Sequence, residues 1–467
     1  MPAVAHVVRS SPWERLANLL PFSLGARKPR HFLDMFVIAR RNRGNPGYAW
    51  KVLTRGVCDG CAPTLCRFWL FALCSLLLAL FTGCATVPTE YHEPAALTAA
   101  GRTAHNLAVF DRAWTLVNEK YFDPRFHGVD WAAQRVRYRP EAAAADEEAL
   151  YRVLNRMNAE LKESHLAAQS PRRTHELRTE HQAGVGLRWL VLDGQRVVSE
   201  IVPGGPAAVA GVQLGWVMVS RNGLPLQEGD TYISRLGQPV TYGFLDEHDQ
   251  PRSLTLEPRL LNFSRREART LPDGFRYLRF DEFNLPSLRW LSAQLKTEPR
   301  APGVIIDLRH NSGGNTLVLK VAVAEFFSQR VDEGRLVRRN GRERVARSFA
   351  WLSARYEGPV VLLTSPATAS AAEIFSHVLQ YNRRATVVGQ RTAGAVIVTF
   401  PHWLPGGGRL QVPYTDYVGL DGQRLEGRGV TPDQLTPVTL AGLRSGIDSE
   451  LAAALKVLHP PGPTLTN

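Results

Sequence analysis

Apolar residues follow three different rhythms along this chain, and each rhythm marks a different kind of segment. Leu107, Val109, Phe110, Trp114, Leu116 and Val117 lead at close to helical spacing toward Tyr121, and Leu150, Val153, Leu154, Met157 and Leu161 repeat the pattern. That spacing gathers apolar side chains on one helix face, so residues 104–182 are expected to form a small N-terminal helical region carrying Ser164-His165. Residues 183–262 change to short strand-like segments. From 263 to 445 apolar strand-like runs alternate with helical ones: 303–308 and 360–363 predict buried strands, 370–381 a helix, 385–388 a further strand, and 396–400 and 409–412 short ones. The alternation predicts an α/β core in packed layers. Residues 85–103 read as a polar tether and 446–467 as a C-terminal tail, and no internal repeat is evident.

The third rhythm is an apolar run of 14 residues at 68–81, broken by Ser75 alone, with Arg67 at its front edge. A membrane-spanning helix needs about 20 residues, whereas a signal peptide's apolar region is of this shorter length. The run ends Phe81-Thr82-Gly83-Cys84, which resembles a bacterial lipoprotein cleavage box. Residues 1–84 are therefore expected to be a leader, with Cys84 lipidated and the mature protein anchored to the membrane of a bacterial envelope. The position three before the cysteine holds Phe81 where such boxes usually have leucine, and an uncleaved signal anchor is the competing reading. Sixty-seven residues before the run are unusual for a signal peptide. Translation is expected to start nearer the run.

Composition changes this picture little. With 44% hydrophobic and 21% charged residues the chain can build large cores, and its 467 residues suggest about two or three domains. A net charge of +13 invites a nucleic-acid reading, but residues 1–83 hold 11 Lys+Arg against 3 Asp+Glu, leaving +5 for the other 384. The basic excess belongs to targeting, and no nucleic-acid partner is expected. All five cysteines lie at or before Cys84, so the folded body has no disulfide. Cys58-x-x-Cys61 lacks a second pair at zinc spacing, no His/Glu cluster has ligand spacing, and no glycine-rich phosphate loop is present. Neither metal nor cofactor is expected.

Within 183–262, Gly184-Val185-Gly186-Leu187 opens the strand-rich stretch. It is followed by Val202-Pro203-Gly204-Gly205-Pro206-Ala207-Ala208 and then Leu214-Gly215-Trp216-Val217-Met218-Val219-Ser220-Arg221-Asn222-Gly223. This succession is similar to a bacterial PDZ domain. The resemblance implies that residues 184–187 hold a peptide's C-terminal carboxylate and that the neighbouring strand edge accepts the peptide as an added strand. A PDZ-like spacer that binds nothing is the alternative.

Two motifs carry the chemistry. Thr368-Ala369-Ser370-Ala371-Ala372-Glu373 sets a serine among small residues between an apolar strand and a helix start, where a nucleophile is accessible and backbone N–H groups stand behind it. Asp307-Leu308-Arg309-His310-Asn311-Ser312-Gly313-Gly314 follows the other apolar strand. Together they resemble the C-terminal-processing and tricorn-type serine peptidases over about residues 105–440. The resemblance implies a core related to Clp protease and crotonase, with the PDZ domain inserted. It also implies Ser370 as nucleophile, with Gly313 and Gly314 supplying backbone to an oxyanion hole whose second donor is Ala371. Glycine fits there because a side chain would block close approach to the oxyanion; taken alone, Gly313-Gly314 is equally a tight turn.

One branch of that family places a lysine base about 25 residues after the serine. Here the motif runs Gly389-Gln390-Arg391-Thr392-Ala393-Gly394-Ala395, and Ala395 cannot take a proton. Either the enzyme is dead or it follows the tricorn-like branch, which uses a Ser-His pair and a late glutamate. Ser164-His165 and Glu426 match those positions. His165 is then the base, since imidazole titrates near neutral pH, with Ser164 and Glu426 orienting it. Glu373 and His377 read as packing groups, and Arg309 as a partner for a carboxylate. The expected function is an envelope-anchored serine endopeptidase acting on protein or peptide C-termini. A non-catalytic binding protein and a PDZ adaptor are the alternatives.

Overall fold

Strands Val304–Asp307 and Val360–Thr364 are buried along their whole lengths, as expected of parallel strands covered on both faces. The computed structural model describes residue 91 and residues 96–179, 181–226, 234–349 and 356–459. The leader, its apolar run and Cys84 lie outside them. The two strands sit at the centre of a six-stranded sheet ordered Arg266–Thr270, Arg276–Phe280, Val304–Asp307, Val360–Thr364, Thr386–Gly389, Gln434–Leu435. The first pair is antiparallel and every later pair parallel.

Alternation along these strands divides the core. Leu278, Val304, Ile306, Val360 and Leu362 face one side, where helices Leu285–Thr297, Thr316–Ala324 and Ala371–Tyr381 cover them. Tyr277, Ile305, Val361 and Leu363 face the other, against Ala453 and Ala454 of helix Ser449–Leu458. The segment that reads as a C-terminal tail therefore closes the third layer. Asp448 caps that helix by accepting the Leu451 N–H.

The N-terminal helices Ala99–Lys120, Trp131–Ala144 and Glu147–Ala159 pack around Val109, Phe110, Leu150, Leu154 and Met157. The first begins inside the expected tether, where Thr98 Oγ1 accepts the Gly101 N–H. Their core is completed by Ile397, Leu404, Leu410 and Val412 from the other end of the sequence. Strand Ala167–Gln169 pairs with Arg409–Val418, so the helical region is stitched into a second sheet of the peptidase core. That sheet continues through Asp332–Arg338 and Glu343–Arg347, with Val398–Trp403 on the other side of Arg409–Val418.

Residues 187–256 carry a separate antiparallel sheet, ordered Leu187–Leu192, Gln195–Ile201, Val217–Arg221, Val240–Leu245, Pro251–Leu256. Its own core holds Val198, Met218, Tyr242 and Phe244, and strands His181–Gly184 and Arg259–Asn262 pair at its entry and exit. Among the described residues no helix is long and apolar enough to cross a membrane.

Candidate active site

Ser370 stands at the N-terminus of helix Ala371–Tyr381 with φ 56° and ψ −120°, a left-handed conformation that costs a residue with a Cβ about 1–3 kcal/mol. Two hydrogen bonds hold it there. Its N–H donates to the Ala395 carbonyl at 2.7 Å and to Glu373 Oε2 at 3.1 Å. Ser370 and Glu373 form a capping box at the start of the helix, each side chain turned to the other's backbone N–H.

The glycine loop presses against this turn. A Cβ on Gly313, at φ +100°, would lie 2.5 Å from Ser370 Cβ and 3.0 Å from the Ala371 nitrogen; one on Gly314, at φ +141°, would lie 2.5 Å from the Phe283 carbonyl oxygen. Asn311, fully buried, fixes the loop: its Nδ2 donates to the Phe280 carbonyl, its Oδ1 accepts the Gly313 N–H at 2.9 Å, and its carbonyl accepts the Ala369 N–H. The Gly313 amide is thus engaged within the loop, while the Gly314 and Ala371 amides have no partner among the described residues. Gly313 contributes space beside the serine, and the donors open to an oxyanion are Gly314 and Ala371. Gly313→Ala is accordingly expected to lower kcat at least 100-fold while leaving thermal unfolding nearly unchanged in cooperativity. A steady-state assay beside a melting curve checks it.

Thr368 and Glu373 tie the turn down from either side. Thr368 Oγ1 donates to the Leu308 carbonyl and its own carbonyl accepts the Ala393 N–H. Glu373 is fully buried, and its carboxylate accepts the N–H groups of Ser370, Gly394 and Ala395 and the Thr392 hydroxyl. Burial pushes its carboxyl above the ordinary range, and these donors oppose the push. Glu373 is therefore neither a base nor a surface group; it clamps the loop at the position where a lysine is missing.

His165 is half-buried and Ser164 exposed, just after the helical region. Ser164 Oγ and His165 Nδ1 are 2.7 Å apart, leaving Nε2 as the nitrogen free of that contact. Burial lowers the His165 pKa, and the charge of Glu426 opposes the shift. Glu426 is the junction between the two halves of the site. Its Oε1 accepts the Ser164 N–H at 3.1 Å, while Oε2 accepts the Val396 N–H at 2.6 Å and the Ile397 N–H at 3.2 Å. Val396 follows Ala395, whose carbonyl holds the Ser370 N–H.

Known proteins match the chain where these parts lie. Residues 275–436 match peptidase family S41, and residues 103–159 match the tricorn protease C1 domain. A carboxyl-terminal-processing protease of Synechocystis sp. is 27% identical over 416 residues, covering 84% of this chain and 93% of that protein. Residues 275–436 are a peptidase family S41 region.

A putative tricorn protease homolog of Streptomyces coelicolor is 28% identical over 76% of this S41 peptidase, though over only 33% of its own length. The solved photosystem II D1 C-terminal processing protease shares the fold, with a TM-score of 0.53 at 22% identity over 74% of this chain and 98% of that one. With that S41 region the protein is a serine-type hydrolase. The tricorn-type match ends before Ser164-His165, so the family comparison covers the helices leading to that pair and not the pair itself.

Elsewhere in this S41 peptidase, Arg309 bonds Asp307, Asp448 and Glu450, locking the signature strand to the last helix. His377 is structural, its Nε2 accepting the Leu420 N–H at 3.0 Å. In the two-stranded sheet at the entry to residues 187–256, Gly184 pairs with Arg259. The Val185 and Gly186 carbonyls accept the Ala207 and Val202 N–H groups, and Leu187 starts an edge strand. That edge lines a cavity of about 1070 Å³ whose opposite wall includes Tyr277, Arg309 and His310 of the core. Among the described residues no group of His, Cys, Asp and Glu could hold a metal ion.

Proposed function

We propose that this S41 peptidase is an endopeptidase that cleaves exported proteins near their C-termini, held through Cys84 on the periplasmic side of a bacterial envelope. The observation that carries the reading is Glu426, which bridges the Ser164 amide and the amides beside Ala395, and so ties histidine and serine segments to one carboxylate. His165 Nε2 takes the proton as Ser370 Oγ attacks the scissile carbonyl carbon. The Gly314 and Ala371 N–H groups receive the oxyanion, and the helix behind Ser370 adds its positive end. Collapse breaks the C–N bond, with the proton passing from His165 to the leaving amine. Water, deprotonated by His165, then releases the acyl group from Ser370 and regenerates both residues. Ser164 Oγ accepts from Nδ1–H and so selects the tautomer whose Nε2 is a base.

The PDZ-like sheet supports recognition of C-termini. Leu187–Leu192 is an edge strand with one side unpaired among the described residues, and it faces the large cavity. An extended peptide adds there by backbone pairing. A substrate protein with a free apolar C-terminus is expected to be cleaved with a KM at least fivefold below that of the same protein carrying a charged C-terminal extension, read by mass spectrometry of timed digests. Equal KM values for the two would refute PDZ recognition; tight peptide binding with no products would favour the adaptor.

A further inference from the structure

A second cavity, of about 220 Å³, is lined by residues that follow the reacting groups closely in the chain. Every segment that holds Ser370 reaches its wall. Thr316 follows Gly314 by two residues, Ile374 lies one turn along the nucleophile helix, and Val398 lies three residues past Ala395. In an acyl-transfer site the side chain of the residue whose carbonyl is attacked projects from a point next to the oxyanion donors. A pocket walled by Thr316, Ile374 and Val398, which follow Gly314, Ser370 and Ala395 in the chain, is placed to take the P1 side chain.

The walls are apolar, built from Leu319, Leu336, Ile374 and Val398 with Phe400 and Tyr414 at the mouth. These two rings meet edge to face at 5.3 Å and are 52% and 39% exposed, which leaves them available to an incoming side chain. One acidic group breaks the apolar lining. Glu333 is 2% exposed, its Oε2 bonds Lys320 Nζ at 2.7 Å, and its Oε1 is buried with no hydrogen-bond partner. A buried carboxylate oxygen without a donor is costly, and the cavity is the space from which a donor can come.

We propose that this cavity is a P1 pocket selective for tyrosine, with Glu333 Oε1 accepting the phenol hydroxyl. This rests on Ser370 being the nucleophile. A cavity of about 150 Å³ already holds a benzene ring, so the volume here suits a phenol. Aromatic side chains pack edge to face against rings such as Phe400 and Tyr414. A cationic P1 residue is disfavoured, because Lys320, Arg338 and Arg344 bring three positive groups to the lining against one carboxylate. An acidic one would set its charge against Glu333 in a dry site. Phenylalanine fills the same space and leaves Oε1 orphaned, and a site built around a hydroxyl discriminates strongly against the analogue that lacks it.

The test is a set of matched internally quenched peptides differing only at P1 (Tyr, Phe, Glu, Lys), assayed at pH 8 with the full chain. Wild type is expected to favour Tyr over Phe in kcat/KM by at least tenfold. Glu333→Gln, which keeps an acceptor but not the charge, is expected to narrow that ratio several-fold, and Glu333→Leu to bring it to one or below. Phe turnover reports whether each variant is folded. The same peptides, amidated at the C-terminus, are titrated against Ser370→Ala. Tyr preference in binding without turnover separates the pocket from the nucleophile and supports it even if Ser370 were misassigned. A wild-type Tyr/Phe ratio of one, a ratio unmoved in both Glu333 variants, or fastest turnover at Glu or Lys overturns the proposal.

Discussion

Ser370→Ala is expected to remove peptide hydrolysis and covalent labelling together. In a serine peptidase, deletion of the nucleophile lowers kcat on the order of 10⁶-fold, and the remainder comes from the oxyanion donors and binding. Those donors survive here, because the turn is held through backbone N–H groups, by the Ala395 carbonyl and the Glu373 carboxylate at Ser370 and by the Asn311 carbonyl at Ala369. Alanine also keeps a Cβ in the same left-handed conformation, so stability should change by less than about 1 kcal/mol. A fluorophosphonate probe should label the wild type and leave Ser370→Ala untouched, with both melting alike. Equal labelling of the two would remove Ser370 from the mechanism.

His165 should control activity on the acid side. His165→Ala is expected to cost about 10⁴-fold or more in kcat, with Ser370 still in place but without a proton acceptor. The base works only when neutral, so kcat/KM falls as pH drops through its pKa. A free imidazole titrates near 6.5. Burial moves His165 below that, opposed by Glu426, so the acid limb should lie at lower pH than for a free histidine. Removing the opposing charge moves it further in the same direction. Glu426→Gln is expected to shift the limb to still lower pH while reducing the plateau, because the bridge to Ser164, Val396 and Ile397 weakens. A pH profile of kcat/KM for both proteins checks the sign. An acid limb that moves to higher pH in Glu426→Gln, or full activity in His165→Ala, would eliminate the proposed base.

Much of the core was legible because it is written in unbroken apolar runs. The strands at Val304–Asp307 and Val360–Thr364 stand out since both sheet faces are covered and their apolar runs are unbroken up to the last residue, and the helix after Ser370 stands out by its apolar spacing. Helix Trp131–Ala144 was not legible, for it is rich in alanine and arginine, contains Pro140 and buries little. The hairpin Asp332–Arg338 with Glu343–Arg347 hides behind its charges, although its inward residues floor the second cavity. In the site, the glycines and serine announce themselves by type. Ser164 and Glu426 lie 262 residues apart, and nothing in local spacing joins them; only the family resemblance did. Glu373 reads as a packing group, but helical spacing gives only its distance from Ser370 and not the direction of its carboxylate, which turns inward to three amides and a hydroxyl. Asn311 was visible as part of a motif, yet its service as a bracket between two loops depends on burial that no single sequence displays.

The shared core of the N-terminal helices and the hairpin from residues 397–412 sets the order in which activity can arise. As the chain leaves the ribosome the histidine segment emerges long before its partners, and strand Ala167–Gln169 has nothing to pair with until residues 409–411 are made. The helix that seals the last layer comes later still. Contacts of such long sequence separation form late and slowly. A nascent or C-terminally truncated chain therefore carries its histidine segment without the strands that fix it against the serine, and latency during synthesis follows from topology.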